Sequence, residues 1–219
     1  MNAAPSTAFD WWALVPGWLD RELTSEDGLP LEVIRAAVTR MAARGFAVPP
    51  ELLKLHLSLG ACRELMDSFN RFTKPEEWKV QDGFLMFLEE NQGVCQWLVD
   101  ASERVWMLVN EERYPEELTL NDFLAVVVPY QLAQGGWSYA ADMVLPLTEA
   151  ADMQERLLRE LDWPLLAQHN GLTIHSQGAS MLWWLDPVSG NTIQHLFMSC
   201  LRQSDLENLC VRFGFVDLD

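Results

Sequence analysis

Three pairs of adjacent acids, Glu89-Glu90, Glu111-Glu112 and Glu116-Glu117, are the densest groups of chemistry-bearing side chains in the chain. Two carboxylates perform general acid–base work when they face each other across a cleft with their pKa values pushed apart. Neighbours on one loop point apart into water, so adjacency by itself argues for a solvated face. Glu89, Glu90, Asn91 and Gln92 have a local task open to them, because their side chains can bond backbone donors within the same loop. Partner contact is the competing use of those groups. No local task is evident in the segment 111–117, which makes Glu111, Glu112, Glu116 and Glu117 the better candidates for docking a partner.

Other reactive types are present without the spacing that chemistry needs. The histidines are His56, His169, His175 and His195; no two lie four residues apart and no cysteine pair accompanies them, so a zinc site has little support. His175 and His195 could approach if their strands pair, although two satisfied strand histidines are the simpler reading. Cys62, Cys95, Cys200 and Cys210 form no C-x-x-C. Three of them fall inside apolar stretches, where a free cysteine packs as a small hydrophobe and a reducing compartment suits it. Gly178-Ala-Ser-Met-Leu182 begins like a nucleophile elbow, but Leu182 stands where that turn requires glycine. No Walker loop occurs, and Gly135-Gly136 is no dinucleotide fingerprint. The expectation is a protein without catalytic residues, cofactor or metal.

Trp183-Trp184 is a different kind of signal. Neighbours on a strand face opposite sides of a sheet, so one ring is expected in the core. The other is expected under a helix or at a contact site, where tryptophan is a preferred anchor.

The chain has 219 residues with 32 acids against 15 bases, a formal net charge of −17. That sign argues against nucleic acid. It fits either plain solubility or a negative surface that steers a basic partner. At 49% hydrophobic residues the chain is too apolar for disorder. No apolar run approaches the roughly 20 residues of a membrane helix. The opening Met1-Asn-Ala-Ala-Pro-Ser shows no secretory pattern, so a cytoplasmic protein is expected.

The elements that must position these groups begin with residues 83–99. Five apolar residues, Phe84 to Leu88, and a second run from Val94 to Val99 flank Glu89 to Gly93. This reads as a hairpin closed by a polar loop. The first strand is apolar on both alternating faces and is expected to be covered on both. Residues 1–28 read as an irregular arm with one helical turn, its tryptophans packed on the body. Pro30 starts a helix whose face is Val33, Ile34, Ala37, Val38 and Met41, with Gly45 past its end. Residues 49–60 fit strand and helix alike until Pro-Pro-Glu at the start and the lack of β-branched residues decide for helix. A strand at 105–109, the acidic surface segment, and a helix capped by Thr119 follow, the helix ending or kinking near Val128 because of Pro129.

Later come a strand at 139–145, a helix from Thr148 stopped by Pro164, and strands at 172–176, 181–185 and 192–198. A final helix opens on a capping box, Ser204-Asp-Leu-Glu207, with Gly214 past its end. The sum is an α+β fold, a mostly antiparallel or mixed β-sheet covered by helices, in a single domain spanning 29–219.

Glu89-Glu-Asn-Gln-Gly-Val94, followed by Trp97 and preceded by the apolar run after Asp82-Gly83, resembles the SUKH superfamily (Smi/Knr-type), known chiefly as bacterial toxin-immunity proteins. Val48-Pro-Pro-Glu-Leu-Leu53 leading to Leu59-Gly60 agrees with that pattern. So do Asn70-Arg-Phe72 with Pro75-Glu-Glu-Trp78, and Asp122-Phe-Leu124 leading to Gly135-Gly136. Gly-Ala-Cys follows Leu59 where many members carry Asn-Gly, and the usual Pro-Pro-Val after the second strand is reduced to Arg104-Val105-Trp106. The resemblance implies a cytoplasmic protein that binds one cognate toxin and silences it, a basic nuclease domain being the partner that charge suggests. An intracellular adaptor on the same scaffold is the second reading. The partner-contact candidates are Glu111, Glu112, Glu116, Glu117, Glu89, Glu90, Trp183 and Trp184.

Overall fold

The computed structural model describes residues 10–218. Among them the fold is α+β, with seven α-helices and two antiparallel sheets of six strands each. The chain divides into two compact units, residues 10–22 with 137–218, and residues 23–136.

Residues 10–22 hold a 3₁₀ turn, Trp11–Leu14, and the short helix α1, Val15–Leu19. Trp11, Val15 and Trp18 are buried, and Trp12 stacks on Trp11 at 4.1 Å. The Trp18 carbonyl accepts a bond from Trp137 Nε1 at 3.2 Å, which ties this segment to the later part of its own unit. The remainder of the expected arm before residue 10 lies outside the described residues.

The unit 23–136 begins with α2, Leu31–Ala42, and α3, Pro50–Leu59, followed by the single turn α4, Arg63–Met66. The apolar spacing works as read: Ile34, Ala37 and Met41 of α2 and Leu52, Leu55 and Leu59 of α3 are buried. The sheet comprises β1 (Arg71–Phe72), β2 (Val80–Gln81), β3 (Phe84–Glu89), β4 (Cys95–Asp100), β5 (Arg104–Val109) and β6 (Glu112–Thr119). Its order is β1-β3-β4-β5-β6, with β2 also paired to β3, so the predicted hairpin is central. A register shift between Met86 and Leu88 sends both Phe87 and Leu88 into the interior.

One face of this sheet packs on α5, Leu120–Gln131, where the Phe123 ring meets Phe87 edge-on at 5.8 Å. Thr119 caps α5 as expected, its hydroxyl oxygen accepting from the Asp122 amide at 3.2 Å. The helix does not stop at Val128. It runs through Pro129 to Gln131 and widens into a π-helical turn over Leu132–Gly136. Gln131 is fully buried and locks the unit: its Oε1 accepts from the Asn70 amide at 2.7 Å while its Nε2 donates to the Asn70 carbonyl.

The remaining elements are β7 (Tyr139–Pro146), α6 (Leu147–Leu161), β8 (Leu165–His169), β9 (Leu172–Gln177), β10 (Ser180–Leu185), β11 (Ile193–Cys200), α7 (Gln203–Phe213) and β12 (Val216–Asp217). They give the second sheet the order β12-β7-β11-β10-β9-β8. Leu157 of α6 and Leu206 and Phe213 of α7 share a buried core with Leu182, Trp184, Leu196 and Met198. The capping box does not form, because α7 starts two residues earlier, at Gln203, with Arg202 in the cap position. Gly214 takes its left-handed place past the helix end, at φ 87°. Helix α6 ends at Leu161, with Asp162 left-handed in the cap position two residues before the proline expected to stop it.

Candidate partner-binding face

The β5–β6 hairpin positions the acidic segment. Val109 pairs with Glu112 across a two-residue loop, Asn110 and Glu111, and both loop residues have positive φ, 49° and 69°. This is the primed turn whose twist matches the strands it joins. Asparagine accepts that conformation readily; glutamate is held there against its preference.

The stretch expected to be acidic surface is therefore an edge strand, and Glu116 is not on the surface. Between Arg104 and Trp106 the register of β5 and β6 shifts, and Glu117 sits at φ 56°. The bulge turns Glu116 inward, where it is 7% exposed and accepts a 2.7 Å bond from Trp97 Nε1. Glu111, Glu112 and Glu117 stay exposed along the edge with Tyr114, whose hydroxyl donates to Glu112. Pro115 and the acids give this edge the features that prevent pairing with another sheet.

Glu89 and Glu90 are engaged in the sheet and its loop. Arg71 bonds Glu89 at 2.8 Å, and that bond holds the Glu89 carboxyl below its ordinary pKa despite partial burial. Glu90 Oε2 accepts from the amides of Gln92 and Val94, at 2.9 and 3.2 Å, closing the β3–β4 loop. Asp100 does the same for the β4–β5 loop. Burial opposes its charge, but bonds from the Arg104 and Ser102 amides, the Trp106 indole and the Arg104 guanidinium outweigh that and lower its pKa.

Trp183 and Trp184 do face opposite sides of the second sheet, yet neither is an exposed anchor, at 3% and 7% exposure. Trp184 lies in the helix-covered core and stacks on His175 at 5.7 Å. Trp183 stacks on Phe197 at 4.2 Å and donates to Ser199 Oγ at 3.0 Å. His175 and His195 belong to β9 and β11, which β10 separates. They bond the Trp163 carbonyl and Asp142 respectively. Among the described residues no group of three or more His, Cys, Asp or Glu could hold a metal ion.

The face that sequence reasoning missed is the side of the first sheet turned away from α5. The expectation that β3 is covered on both faces fails there: Leu85 is fully buried but Phe84 and Met86 are only half-buried. With Leu98 and Leu108 they line an open groove of about 520 Å³, bordered by Asp82, Glu111 and Arg113. Trp106 meets Phe84 edge-on at 5.8 Å, and the Arg113 guanidinium lies 4.5 Å over the Phe84 ring while bonding Asp82 at 3.0 Å. An alternating apolar run carries no mark that distinguishes a second buried face from a half-open one.

No protein-family model, curated protein or solved structure matches this chain. Among the described residues no helix is long and apolar enough to cross a membrane.

Proposed function

We propose that the chain is a cytoplasmic immunity protein of SUKH type that binds a basic toxin domain and silences it by occupying its surface. The observation that carries the reading is the juxtaposition in β3–β6 of a half-open apolar groove and an acidic edge. Phe84, Met86 and Leu108 supply area that excludes water, while Glu111, Glu112 and Glu117 supply a field that attracts a positive partner. Fixed apolar area governs residence time, and the charges govern encounter rate and partner choice. The net charge of −17 extends the same bias over the whole molecule.

The test is co-expression in a bacterial host with the toxin domain encoded beside this gene. Survival on toxin induction supports the reading, provided that a Met86→Asp, Leu108→Asp double variant, equally expressed, no longer protects. Death of cells that accumulate folded protein rejects immunity to that toxin.

A further inference from the structure

A second concavity in the unit 23–136 shares no residue with the β3–β6 groove. It has a volume of about 400 Å³ and is bounded by α3, α4 and the segment through β1. That size falls within the range of small-molecule pockets. His56 of α3 forms part of its wall. This residue is 1% exposed, and neither ring nitrogen has a hydrogen-bond partner among the described residues. The Trp78 ring lies edge-on to it at 5.2 Å. Both nitrogens are sealed from solvent, and buried polar groups are almost always bonded, so this unpartnered imidazole behind the pocket wall is a site for a polar group that a side-chain shift in the wall uncovers. Burial holds its pKa down at about 4, so at neutral pH the ring presents one donor and one acceptor and no charge.

The backbone of the wall is built to stay in place. A Cβ on Gly60 would lie 2.5 Å from the His56 carbonyl oxygen and 2.7 Å from Leu29, and one on Gly28 would lie 1.8 Å from the Leu57 carbonyl oxygen. Only glycine lets the loop bearing Leu29 sit this close to α3. The Leu29 amide then donates to the His56 carbonyl at 2.9 Å, and the Ala61 amide to the Asp27 carbonyl at 2.8 Å.

Charge at the mouth runs against the rest of the chain. Arg63, Arg71 and Lys74 line the pocket with Asp67 and Glu76, three bases to two acids, where the whole sequence has 15 bases to 32 acids. Arg71 is paired with Glu77 and Glu89, but Arg63 and Lys74 are exposed and enter no ion pair among the described residues. Leu29, Met66 and Phe72 supply an apolar part of the lining.

We propose that this pocket binds a small amphipathic organic anion. Its carboxylate or phosphate sits at Arg63 and Lys74, its apolar body lies against Leu29, Met66 and Phe72, and an uncharged polar group bonds the His56 ring. The site is independent of toxin binding, so either reading stands if the other fails.

The experiment uses the full chain, with ¹⁵N-labelled histidine, titrated with 4-hydroxybenzoate, 4-hydroxyphenyl phosphate, 4-hydroxybenzyl alcohol and 4-hydroxybenzylamine. The His56 ring signals, identified from the spectrum of His56→Phe, report on the site directly. The expected result is saturable movement of those signals by one anion, with Kd below about 1 mM and at least about tenfold tighter than the alcohol or the amine. Whether 4-hydroxybenzoate or 4-hydroxyphenyl phosphate wins distinguishes a carboxylate from a phosphate ligand. Arg63→Glu with Lys74→Glu, both surface changes, weakens that anion about tenfold or more and leaves the thermal midpoint in place. Should His56→Phe fail to fold, the rim variant and thermal shift by the four probes decide the matter alone. No saturable response to either anion, equal response to the amine, or binding indifferent to the rim variant overturns the proposal.

Discussion

In the second sheet Trp183 and Trp184 point to opposite faces and both are sealed from solvent; in the first, Phe84 and Leu85 point to opposite faces and only Leu85 is. The same alternation of large apolar residues thus ends in two outcomes. The second sheet places α6 and α7 over one face, and Trp183 on the other is closed in by Phe197 and its bond to Ser199. The first sheet has α5 over one face and leaves Phe84, Met86 and Leu108 lining a groove on the other. Acids follow the same division. Glu112 and Glu117 stand exposed along β6 and Glu111 in the turn before it, at the rim of the open groove, whereas the tryptophan pair has no exposed acid cluster of that kind on its own strand. Tryptophans are thus structural in the second sheet, and the surface suited to a partner belongs to the first.

The largest effect expected from this contrast is Trp184→Ala. Removing a ring 7% exposed from among Leu157, Leu206 and Phe213 lowers stability by about 3–5 kcal/mol, enough to unfold a marginal domain. Leu108→Ala in the groove, half-exposed, costs far less than the 2–5 kcal/mol typical of a buried leucine truncation. Denaturant melts of the two variants measure the difference. Equal losses would mean that the groove is as much core as the tryptophan layer.

Next in size is the acid response of His56. Its folded-state pKa is depressed from 6.5 to about 4, so the unfolded chain takes up a proton that the folded chain refuses. Stability is intact above pH 6.5, falls as pH drops from 6.5 towards 4, and levels off below that. Over the whole window the loss is about 3 kcal/mol. Between pH 6.5 and 5 a His56→Phe variant shows a flatter profile than the parent chain, read from urea midpoints. A parallel slope in both would place the acid sensitivity in other groups. Glu116→Ala comes third. It leaves the part-buried Trp97 N–H without that acceptor, for a loss of about 1–3 kcal/mol, while Glu117→Ala on the exposed side costs under about 0.5 kcal/mol.

Much of this architecture was legible as pattern. The apolar spacing of 31–42 and 50–59, the hairpin 84–100 with Gly93 in its loop, and the strands through 172–200 all announce themselves by period and turn chemistry. What escaped notice shares a physical cause. Strand β6 is Glu-Arg-Tyr-Pro-Glu-Glu-Leu-Thr, poor in β-branched residues and broken by proline, so it is a strand by virtue of its neighbour β5 and not by local preference. Strands β1, β2 and β12 are two residues each, too short to carry a period. Glu116 was unreadable because a register bulge, set by tertiary pairing, decides which way it points. His56 was visible only as one apolar-flanked histidine in a helix; its missing partners and the cations near it come from chain segments far apart in sequence. The loop-bonding role of Glu90, by contrast, was open to reading, since it spans only two to four residues.

The smallest stability effect is also the one that best separates folding from binding. Glu111 occupies a left-handed position, φ 69°, in a turn that favours glycine there. Glu111→Gly relieves that strain and raises stability by about 1 kcal/mol, less the entropy that glycine gains in the unfolded chain. If Glu111 serves only the turn, the variant is better in every respect. If it serves a basic partner, the more stable variant associates more slowly at low salt, and the deficit shrinks as salt screens the field. Reversing Glu111, Glu112 and Glu117 to lysine enlarges the same deficit, and Glu116 is excluded from the set because its carboxylate faces Trp97. Stopped-flow association with the toxin domain at two ionic strengths reads both variants. A stabilised Glu111→Gly chain with an unchanged on-rate would move the docking surface off the β6 edge, leaving the apolar groove to account for recognition without electrostatic guidance.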